Sequence, residues 1–281
     1  MRILVTGAAG QLGIDLVAHC ELHGDDVIGL DRAGLDVSDR SAVLGSVTTL
    51  RPDVIVNTAA WTAVDACEGD VDRAVRVNAL GPRWLREAAS LAGAHLVHIS
   101  TDYVFDGMLD RPYHEWDEPN PQSVYGASKL AGEREVGQDA CIIRTSWVCG
   151  ANGNNMVKTI LRLVREQPSL SFVDDQRGCP TFTADLAPMV RRLALDRRSG
   201  VHHVTNGGAV SWFEFVREIV AESGHDPAMV HPIATADLDP PRPAPRPANS
   251  VLDNAVLRLA AEPLLRHHRE PLRELVAHLL A

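Results

Sequence analysis

The feature that most constrains the fold is an alternation, through the first half of the chain, of short apolar runs with segments of helical character. Five runs are rich in β-branched residues: Arg2 to Gly7, Asp26 to Asp31, Asp53 to Ala60, His95 to Thr101 and Cys141 to Val148. Such runs are typical of strands buried on both faces of a parallel sheet. Strands that alternate with helices predict right-handed βαβ units, so we expect a Rossmann-type, doubly wound α/β sheet.

The second half of the chain is less regular. A Gly/Asn-rich loop near residue 152 precedes two segments with helical spacing, Asn155 to Gln167 and Ser211 to Gly224. A proline-rich stretch, Asp239 to Ser250, suits neither a helix nor a central strand and is interpreted by default as a linker. We predict a dinucleotide-binding domain over residues 1–150 and a smaller, mostly α-helical substrate lobe over residues 151–281, with room for some segments to return to the first domain.

Three glycines directly after the first run have the spacing of a phosphate-binding turn: Gly7, Gly10 and Gly13. Glycines between a strand and a helix let the amides at the helix N-terminus approach a pyrophosphate closely. An ordinary glycine turn is the alternative. Because the second run ends in Asp31, near the offset expected of a ribose-binding carboxylate, the combination favours a dinucleotide cofactor.

The end of the second run carries opposing signals about the cofactor. Asp31 would accept hydrogen bonds from the ribose diol of NADH, whereas Arg32 would neutralise the 2′-phosphate of NADPH. Each residue also has a plainer interpretation, since Asp31 could cap a loop and Arg32 could point into solvent. Asp36 could equally frame the adenine end of a cofactor or begin the next helix.

A second candidate site is the pair Tyr125 and Lys129 in the segment SVYGASKLAGE. If this segment is helical, the two side chains project from one face and can reach the same ligand. On its own, such a pair is more often a half-buried ring beside a solvated charge. The chemistry is nevertheless suitable, because a nearby ammonium lowers the pKa of a tyrosine from its usual value of about 10 and so eases proton transfer near neutrality.

Composition narrows the classes of partner. The formal net charge is -10 and no block of Lys and Arg is present, so neither nucleic acid nor an anionic membrane is expected as a partner. The five cysteines are scattered and lack a C-x-x-C, which indicates reduced thiols rather than disulfides or a zinc site. The sequence has no signal-peptide core and no apolar span that could cross a bilayer, so we expect a cytoplasmic protein.

Taken in order, several motifs resemble those of the dTDP-4-dehydrorhamnose reductases, a family within the extended short-chain dehydrogenases/reductases. They are GAAGQLG, RPDVIVNTAAWTAVDACE, STDYVFDG, YGASKLAGE, IIRTSWV, DDQRGCPT and RPANSVLD. The resemblance extends from Arg2 to about Asp253, which is nearly the whole chain.

The resemblance implies roles for individual residues. Thr101, Tyr125 and Lys129 would form the catalytic triad: Tyr125 as proton donor, Lys129 on the nicotinamide ribose and Thr101 on the substrate carbonyl. Cofactor contacts would come from Gly7, Gly10, Gln11, Leu12, Asp31, Arg32, Asp36, Val37, Ala59, Ala60, Tyr125 and Lys129. Sugar-nucleotide contacts would come from Thr62, Val64, Thr101, Tyr103, Trp147, Arg246 and Asn249. For Tyr103 and Trp147 the plain alternative is aromatic packing, and Arg246 would bind phosphate bidentately.

The implied activity is NAD(P)H-dependent reduction of the 4-keto group of dTDP-4-dehydro-β-L-rhamnose to dTDP-L-rhamnose. Both NADPH and NADH are expected to work, with a modest preference for NADPH. Two alternatives stay open: a reductase of another nucleotide-linked 4-keto-6-deoxy sugar, and a noncatalytic nucleotide-binding subunit similar to the β subunit of methionine adenosyltransferase. In some relatives a magnesium ion joins two subunits, but LVAHLLA and CPTFTADLA lack the corresponding carboxylates. We therefore expect no required metal and leave monomer and homodimer both open.

Overall fold

The computed structural model describes residues 1–281, and its strands are short. In chain order they are β1 (Arg2–Thr6), β2 (Asp26–Leu30), β3 (Val54–Asn57), β4 (His95–Thr101), β5 (Cys141–Thr145), β6 (Val148–Cys149), β7 (Leu170–Val173), β8 (Arg177–Gly178), β9 (Thr181–Phe182), β10 (Gly200–His203), β11 (Val210–Ser211) and β12 (Val230–Ile233).

The helices alternate with these strands. They are α1 (Gln11–Leu22), α2 (Arg40–Leu50), α3 (Val64–Gly69), α4 (Val71–Val75), α5 (Gly81–Ala92), α6 (Val124–Val136), α7 (Met156–Glu166), α8 (Thr183–Leu195), α9 (Trp212–Glu222), α10 (Ala255–Leu259) and α11 (Arg269–Leu280). None of them combines the length and the apolar character needed to cross a membrane.

A parallel six-stranded sheet forms the centre, in the order β2-β1-β3-β4-β5-β10. The five predicted strands are all present in it, and the predicted Rossmann-type, doubly wound fold is confirmed. The strand order reverses between β1 and β3, so the first crossovers diverge there and leave a crevice at the carboxyl ends of the strands. The glycine turn after β1 opens into this crevice.

Helices cover both faces of the sheet. On one face, Ile3 and Val5 pack with the apolar sides of α1 and α8 in a cluster of 18 buried residues. On the other, Leu4 and Ile55 pack against α2 and α5 in a cluster of 13 buried residues. Successive side chains of a strand point to opposite faces, which is why these runs are apolar throughout.

The second half forms a smaller lobe around a cluster of 16 buried residues. Three helices (α7, α9 and α11) and three two-stranded pairs (β7 with β12, β6 with β9 and β8 with β11) surround this cluster. Ser211 begins α9 with a full capping box, as its position in the sequence suggested. The chain also returns to the first domain, because α8 packs on α1 and β10 is an edge strand of the main sheet. The predicted boundary at residue 150, between a dinucleotide-binding domain and a substrate lobe, stays a prediction.

One helical segment is interrupted beside the crevice. Between α4 and α5 the chain makes a π-helical turn, Arg76–Leu80, whose Asn78 is buried. The Asn78 side chain accepts from the backbone N–H of Trp61 at 2.8 Å and donates to the Trp61 carbonyl at 3.0 Å and to the Ser128 hydroxyl at 3.0 Å. A π turn of this kind inserts one residue into a helix. Through the hydrogen bonds of Asn78, this turn connects the loop after β3 to helix α6.

Candidate active site

The turn after β1 is shaped by its glycines. Gly7 has φ of +70°, and a Cβ on it would lie 2.7 Å from the backbone nitrogen of Ala59, so only glycine fits. Helix α1 starts at Gln11 without a side-chain cap on its N-terminus and without an acidic residue in its first turn. Its free amides and positive dipole end suit a bound pyrophosphate, and the residues present therefore fit a dinucleotide.

A cavity of about 260 Å³ extends from this turn along the carboxyl ends of the strands. It brings together eight predicted cofactor contacts, namely Gly7, Gly10, Asp31, Arg32, Asp36, Val37, Ala59 and Ala60. The other four do not line it. Leu12 is buried in the core, the Gln11 side-chain carbonyl accepts from Asn155 at 3.0 Å, and Tyr125 and Lys129 lie on α6. The sequence did not indicate that Leu35, Trp61, Arg73 and Val77 also line the cavity, with the Arg73 guanidinium 4.3 Å above the Trp61 ring.

The acidic and basic residues after β2 hold a tight loop at the rim of this cavity. Asp31 accepts from the backbone N–H of Gly34 at 2.9 Å, so it does cap a loop while it lines the cavity. Arg32 is 77% exposed and lies 3.8 Å from Asp36. Asp36 accepts from the amide and hydroxyl of Ser38 and does not cap α2, whose N-cap is Asp39.

Tyr125 and Lys129 lie one turn apart on α6, as the spacing predicted, and both are buried. Helix α6 begins after Ser123, whose hydroxyl accepts from the Gly126 amide at 3.1 Å. Lys129 Nζ donates to the carbonyl of Ile99 at 2.6 Å, and Thr101 ends the same strand, β4. The structure thus brings the three predicted catalytic residues together at the carboxyl end of the sheet.

Burial governs the protonation of these groups. It raises the pKa of the Tyr125 hydroxyl, with the neighbouring Thr101 side chain opposing that rise, so the lowering expected from the nearby Lys129 is not found. Burial also lowers the pKa of Lys129 to about 8, against the opposing charge of Glu133. A tyrosine that holds its proton beside an amine near its titration point is suited to donate a proton to a developing alkoxide.

A small cluster around Tyr125 contains two of the predicted substrate contacts. Val64 and Tyr103 pack against it, and the rings of Tyr103 and Tyr125 meet edge to face at 5.5 Å. Thr62 lies in the preceding loop and is exposed. These positions surround the proposed proton donor, and their contacts with a sugar stay predictions.

Arg246 and Asn249 are engaged within the protein. The Arg246 guanidinium is 9% exposed and binds the carboxylate of Asp65 in a bidentate pair, with Nη2 at 2.7 Å from Oδ2. Asn249 donates to the carbonyls of Leu109 and Arg111 at 2.8 and 2.9 Å. The proline-rich stretch is therefore anchored to α3 and to the loop that contains Leu109 and Arg111, and it is not a loose linker. The nucleotide contacts assigned to Arg246 and Asn249 stay predictions.

Trp147 lies where the sheet meets the second lobe. Its ring stacks on Trp212 of α9 at 3.6 Å and 7° between planes, and a Cβ on Gly178 would lie 2.5 Å from it. Trp147 therefore does take part in aromatic packing, the plain alternative to a sugar contact. The backbone of Trp147 has φ of +46°, which is uncommon for a bulky residue and typical of functional sites.

The sequence interpretation overlooked Asp102, next to Thr101. Its carboxylate is 2% exposed and accepts from the Thr101 hydroxyl at 2.9 Å, while its second oxygen has no hydrogen-bond partner. Burial raises its pKa to about 6. Its position in the motif STDY was the available signal.

No group of three or more His, Cys, Asp or Glu side chains is arranged to bind a metal ion.

The parallel sheet, the glycine turn and the Tyr-Lys pair on α6 define a Rossmann-type protein of the short-chain dehydrogenase/reductase class. The family description "RmlD substrate binding domain" matches residues 1–281. The chain belongs to this family of dTDP-4-dehydrorhamnose reductases.

Curated relatives match nearly end to end. The dTDP-4-dehydrorhamnose reductase of Streptomyces griseus is 43% identical, over 97% of this chain and 92% of its own. The spore coat polysaccharide biosynthesis protein SpsK of Bacillus subtilis is 42% identical, over 97% of this chain and 96% of its own. A probable dTDP-4,6-dihydroxy-2-methyloxan-3-one 4-ketoreductase of Streptomyces antibioticus is 40% identical, over 100% and 96%.

Solved structures agree with this assignment. A dTDP-4-dehydrorhamnose reductase from Clostridium acetobutylicum is 42% identical and superimposes with a TM-score of 0.96 over 100% of both chains. The Bacillus anthracis reductase, solved in complex with NADP, is 38% identical with a TM-score of 0.94 over 99% of both chains.

Proposed function

We propose that this protein is an NADPH-dependent reductase that converts the 4-keto group of dTDP-4-dehydro-β-L-rhamnose to the alcohol of dTDP-L-rhamnose. The observation that carries the proposal is the placement of Tyr125 and Lys129 on one face of α6, beside Thr101, with Trp61 packing in the cluster of Tyr125 and also lining the dinucleotide cavity. The Streptomyces griseus relative and the NADP complex of the Bacillus anthracis protein support the same substrate and cofactor.

Each catalytic residue has a defined task. A bound reduced nicotinamide would supply the hydride that reduces the ketone carbon. The Tyr125 hydroxyl donates its proton to the carbonyl oxygen as charge develops there. The Thr101 hydroxyl turns from the Asp102 carboxylate to donate to that oxygen and so holds it in line. Lys129 binds the nicotinamide ribose and, when protonated, eases proton release from Tyr125 by its charge. Val64, Tyr103 and Trp147 shape the sugar pocket around these groups.

Two cations suit a 2′-phosphate, because both Arg32 and Arg73 line the proposed adenosine end of the cavity. Asp31 on the same rim keeps NADH usable, so we propose a modest preference for NADPH. Five unpaired, buried cysteines are compatible with a reducing compartment such as the cytoplasm. We expect a monomer or a homodimer, which light scattering on the purified protein distinguishes.

A panel of substrates tests the proposal. The purified protein is incubated with NADPH and either dTDP-4-dehydro-β-L-rhamnose or its C5 and C3 epimeric 4-keto-6-deoxy sugars, and products are identified by NMR. We expect the rhamnose precursor to have the highest kcat/KM. A higher kcat/KM for another 4-keto sugar would reassign the enzyme to that sugar. A folded protein that binds NADPH and oxidises none of it would instead support the noncatalytic subunit.

A further inference from the structure

A row of buried polar side chains crosses the sheet beneath Lys129. Thr6, Asn57 and His98 occupy matching positions on the adjacent strands β1, β3 and β4, and none is more than 1% exposed. The Thr6 hydroxyl lies 2.7 Å from Asn57 Oδ1, Asn57 Nδ2 lies 3.0 Å from His98 Nδ1, and His98 Nε2 lies 3.4 Å from Lys129 Nζ. The mechanism above leaves this row without a task.

The direction of the hydrogen bonds along the row is determined by a backbone group. The N–H of Ala59 donates to Asn57 Oδ1 at 3.1 Å, and an amide N–H can only donate. The Asn57 carboxamide therefore has one possible orientation, in which Nδ2 donates to His98 Nδ1. Since His98 Nδ1 must accept, a neutral ring carries its single proton on Nε2. Burial, together with the nearby charge of Lys129, lowers the pKa of His98 well below its usual value, so the ring is neutral.

The proton on His98 Nε2 faces Lys129 Nζ and therefore affects which protonation state of Lys129 is favoured. An ammonium has three N–H donors and no lone pair, so a protonated Lys129 and this N–H oppose each other. An unprotonated amine can accept from His98 while it donates to the Ile99 carbonyl. We propose that His98, oriented by Asn57, is a positioning residue that directs an N–H at Lys129 and thereby weakens the hold of this amine on its third proton. The functional consequence rests on the proposed role of Lys129 at the cofactor.

Few other groups act on Lys129. Glu133, one turn along α6, stabilises its charged form, and Glu133 is itself paired with Arg144 of β5 at 2.7 Å. The remaining titratable groups on elements packed against α6 act on other partners. Cys67, Asp102 and Tyr103 face Tyr125, Arg73 lies over Trp61, and Arg83 pairs with Glu135. His98 is thus the one side chain within hydrogen-bonding distance of Nζ.

The tautomer can be measured directly on the protein without any ligand. Long-range ¹H–¹⁵N NMR at neutral pH should find Nε2 of His98 protonated and Nδ1 bare, with the signal assigned by its loss in His98→Gln. The isosteric Asn57→Asp replaces the donating amide by an accepting oxygen, so the proton should move to Nδ1. A wild-type ring protonated on Nδ1, or one that carries both protons, would overturn the proposal.

The effect on Lys129 is read from NADPH binding as a function of pH. The affinity of the wild-type protein for NADPH should fall as the pH rises and Lys129 loses its charge, with a midpoint near the Lys129 pKa of about 8. His98→Met removes the opposing N–H, so its midpoint should rise by about one pH unit, roughly a tenfold change in proton affinity. His98→Gln keeps an N–H donor at the same distance along the side chain and should retain the wild-type midpoint. Equal midpoints in the wild type and His98→Met would contradict the proposal.

Two precautions keep these outcomes interpretable. If His98→Met does not fold, the uncharged His98→Leu serves in its place and should also raise the midpoint, because it too lacks the N–H; Asn57→Asp is used for the NMR test alone, since its added charge would itself raise the pKa of Lys129. A wild-type protein that binds no NADPH would refute the proposed function. The tautomer would still be decided by NMR, so the two failures are distinct.

Discussion

Single side chains carry the proposed chemistry, and the Tyr125 hydroxyl is the one that changes covalently. Tyr125→Phe keeps the ring and its contact with Tyr103 but removes the transferable proton. We expect kcat to fall by about two or more powers of ten while the Kd for NADPH changes little. Stopped-flow turnover and fluorescence titration of NADPH provide the two values. Near-normal turnover would mean that another group is the acid.

Arg32 is the residue-scale determinant of cofactor choice. Its exposed guanidinium lies at the rim of the cavity, 3.8 Å from Asp36. There it can contact the 2′-phosphate of NADPH, a group that NADH lacks. Arg32→Ala should therefore lower kcat/KM for NADPH by about tenfold, a loss of roughly 1.4 kcal/mol, and leave NADH nearly unchanged. If both cofactors lose equally, the preference belongs to Arg73, and Arg73→Ala should then show the selective loss.

The sequence identified several single residues but could not predict their partners. Tyr125 and Lys129 were recognisable because four residues along a helix is a local relation. Arg246 and Asp65 lie 181 residues apart, and no local pattern indicates that they pair. The same holds for the row from Thr6 to Lys129, whose order emerges only when three strands align in register.

At the scale of elements, the close contact of α6 with the π turn aligns the Tyr-Lys pair. A Cβ on Gly132 of α6 would overlap the carbonyl oxygen of Asn78, whereas one on Gly45 of α2 would meet nothing within 4 Å. Gly132→Ala should destabilise the protein by about 1 to 3 kcal/mol and shift the helix, which lowers kcat as well.

Gly45→Ala is the matched control for that substitution, because it makes the same chemical change in another helix. It should stabilise the protein by about 0.5 to 1 kcal/mol and leave turnover unchanged. Urea unfolding of both variants gives the two free energies. A Gly132→Ala protein as stable and active as Gly45→Ala would show that the contact between α6 and the π turn is not required.

Element types were predictable where the apolar pattern was strong. The five strands of the first half and the helix after Ser211 begin and end within three residues of the predicted positions, because buried parallel strands and capping residues leave clear local patterns. The π turn was not predictable, since Val71 to Gly93 has a composition compatible with one continuous helix and the interruption depends on Asn78 reaching Trp61.

At the scale of the whole molecule, Trp147 joins the sheet to the second lobe by stacking on Trp212. Trp147→Ala should raise KM for the sugar nucleotide far more than KM for NADPH, because the dinucleotide cavity does not include this ring. The lost packing should also cost roughly 2 to 3 kcal/mol of stability. An equal loss for both ligands would assign Trp147 to packing alone.

Trp116→Ala is the control for the removal of an indole. Trp116 is 61% exposed and stacks on His114 away from the cavity. We expect both KM values and the thermal midpoint to stay close to wild type.

The return of the chain to the sheet was hard to predict in detail. Strand β10 is only Gly200–His203 and α8 contains Pro188, so neither has the long apolar pattern that marked the first half. Their place beside β5 and α1 is decided by packing between distant parts of the chain, which local patterns do not record.

The most direct test of the proposed reduction follows the hydride itself. NADPH deuterated on the transferring face of nicotinamide C4 is incubated with dTDP-4-dehydro-β-L-rhamnose and the wild-type protein, and the product is examined by NMR and mass spectrometry. We predict one deuterium at C4 of a hexose with the rhamnose configuration, and none transferred by Tyr125→Phe above about a hundredth of the wild-type rate. Deuterium at another carbon, or a sugar without deuterium beside folded, NADPH-bound protein, would contradict the assignment of this chain as a 4-keto sugar reductase.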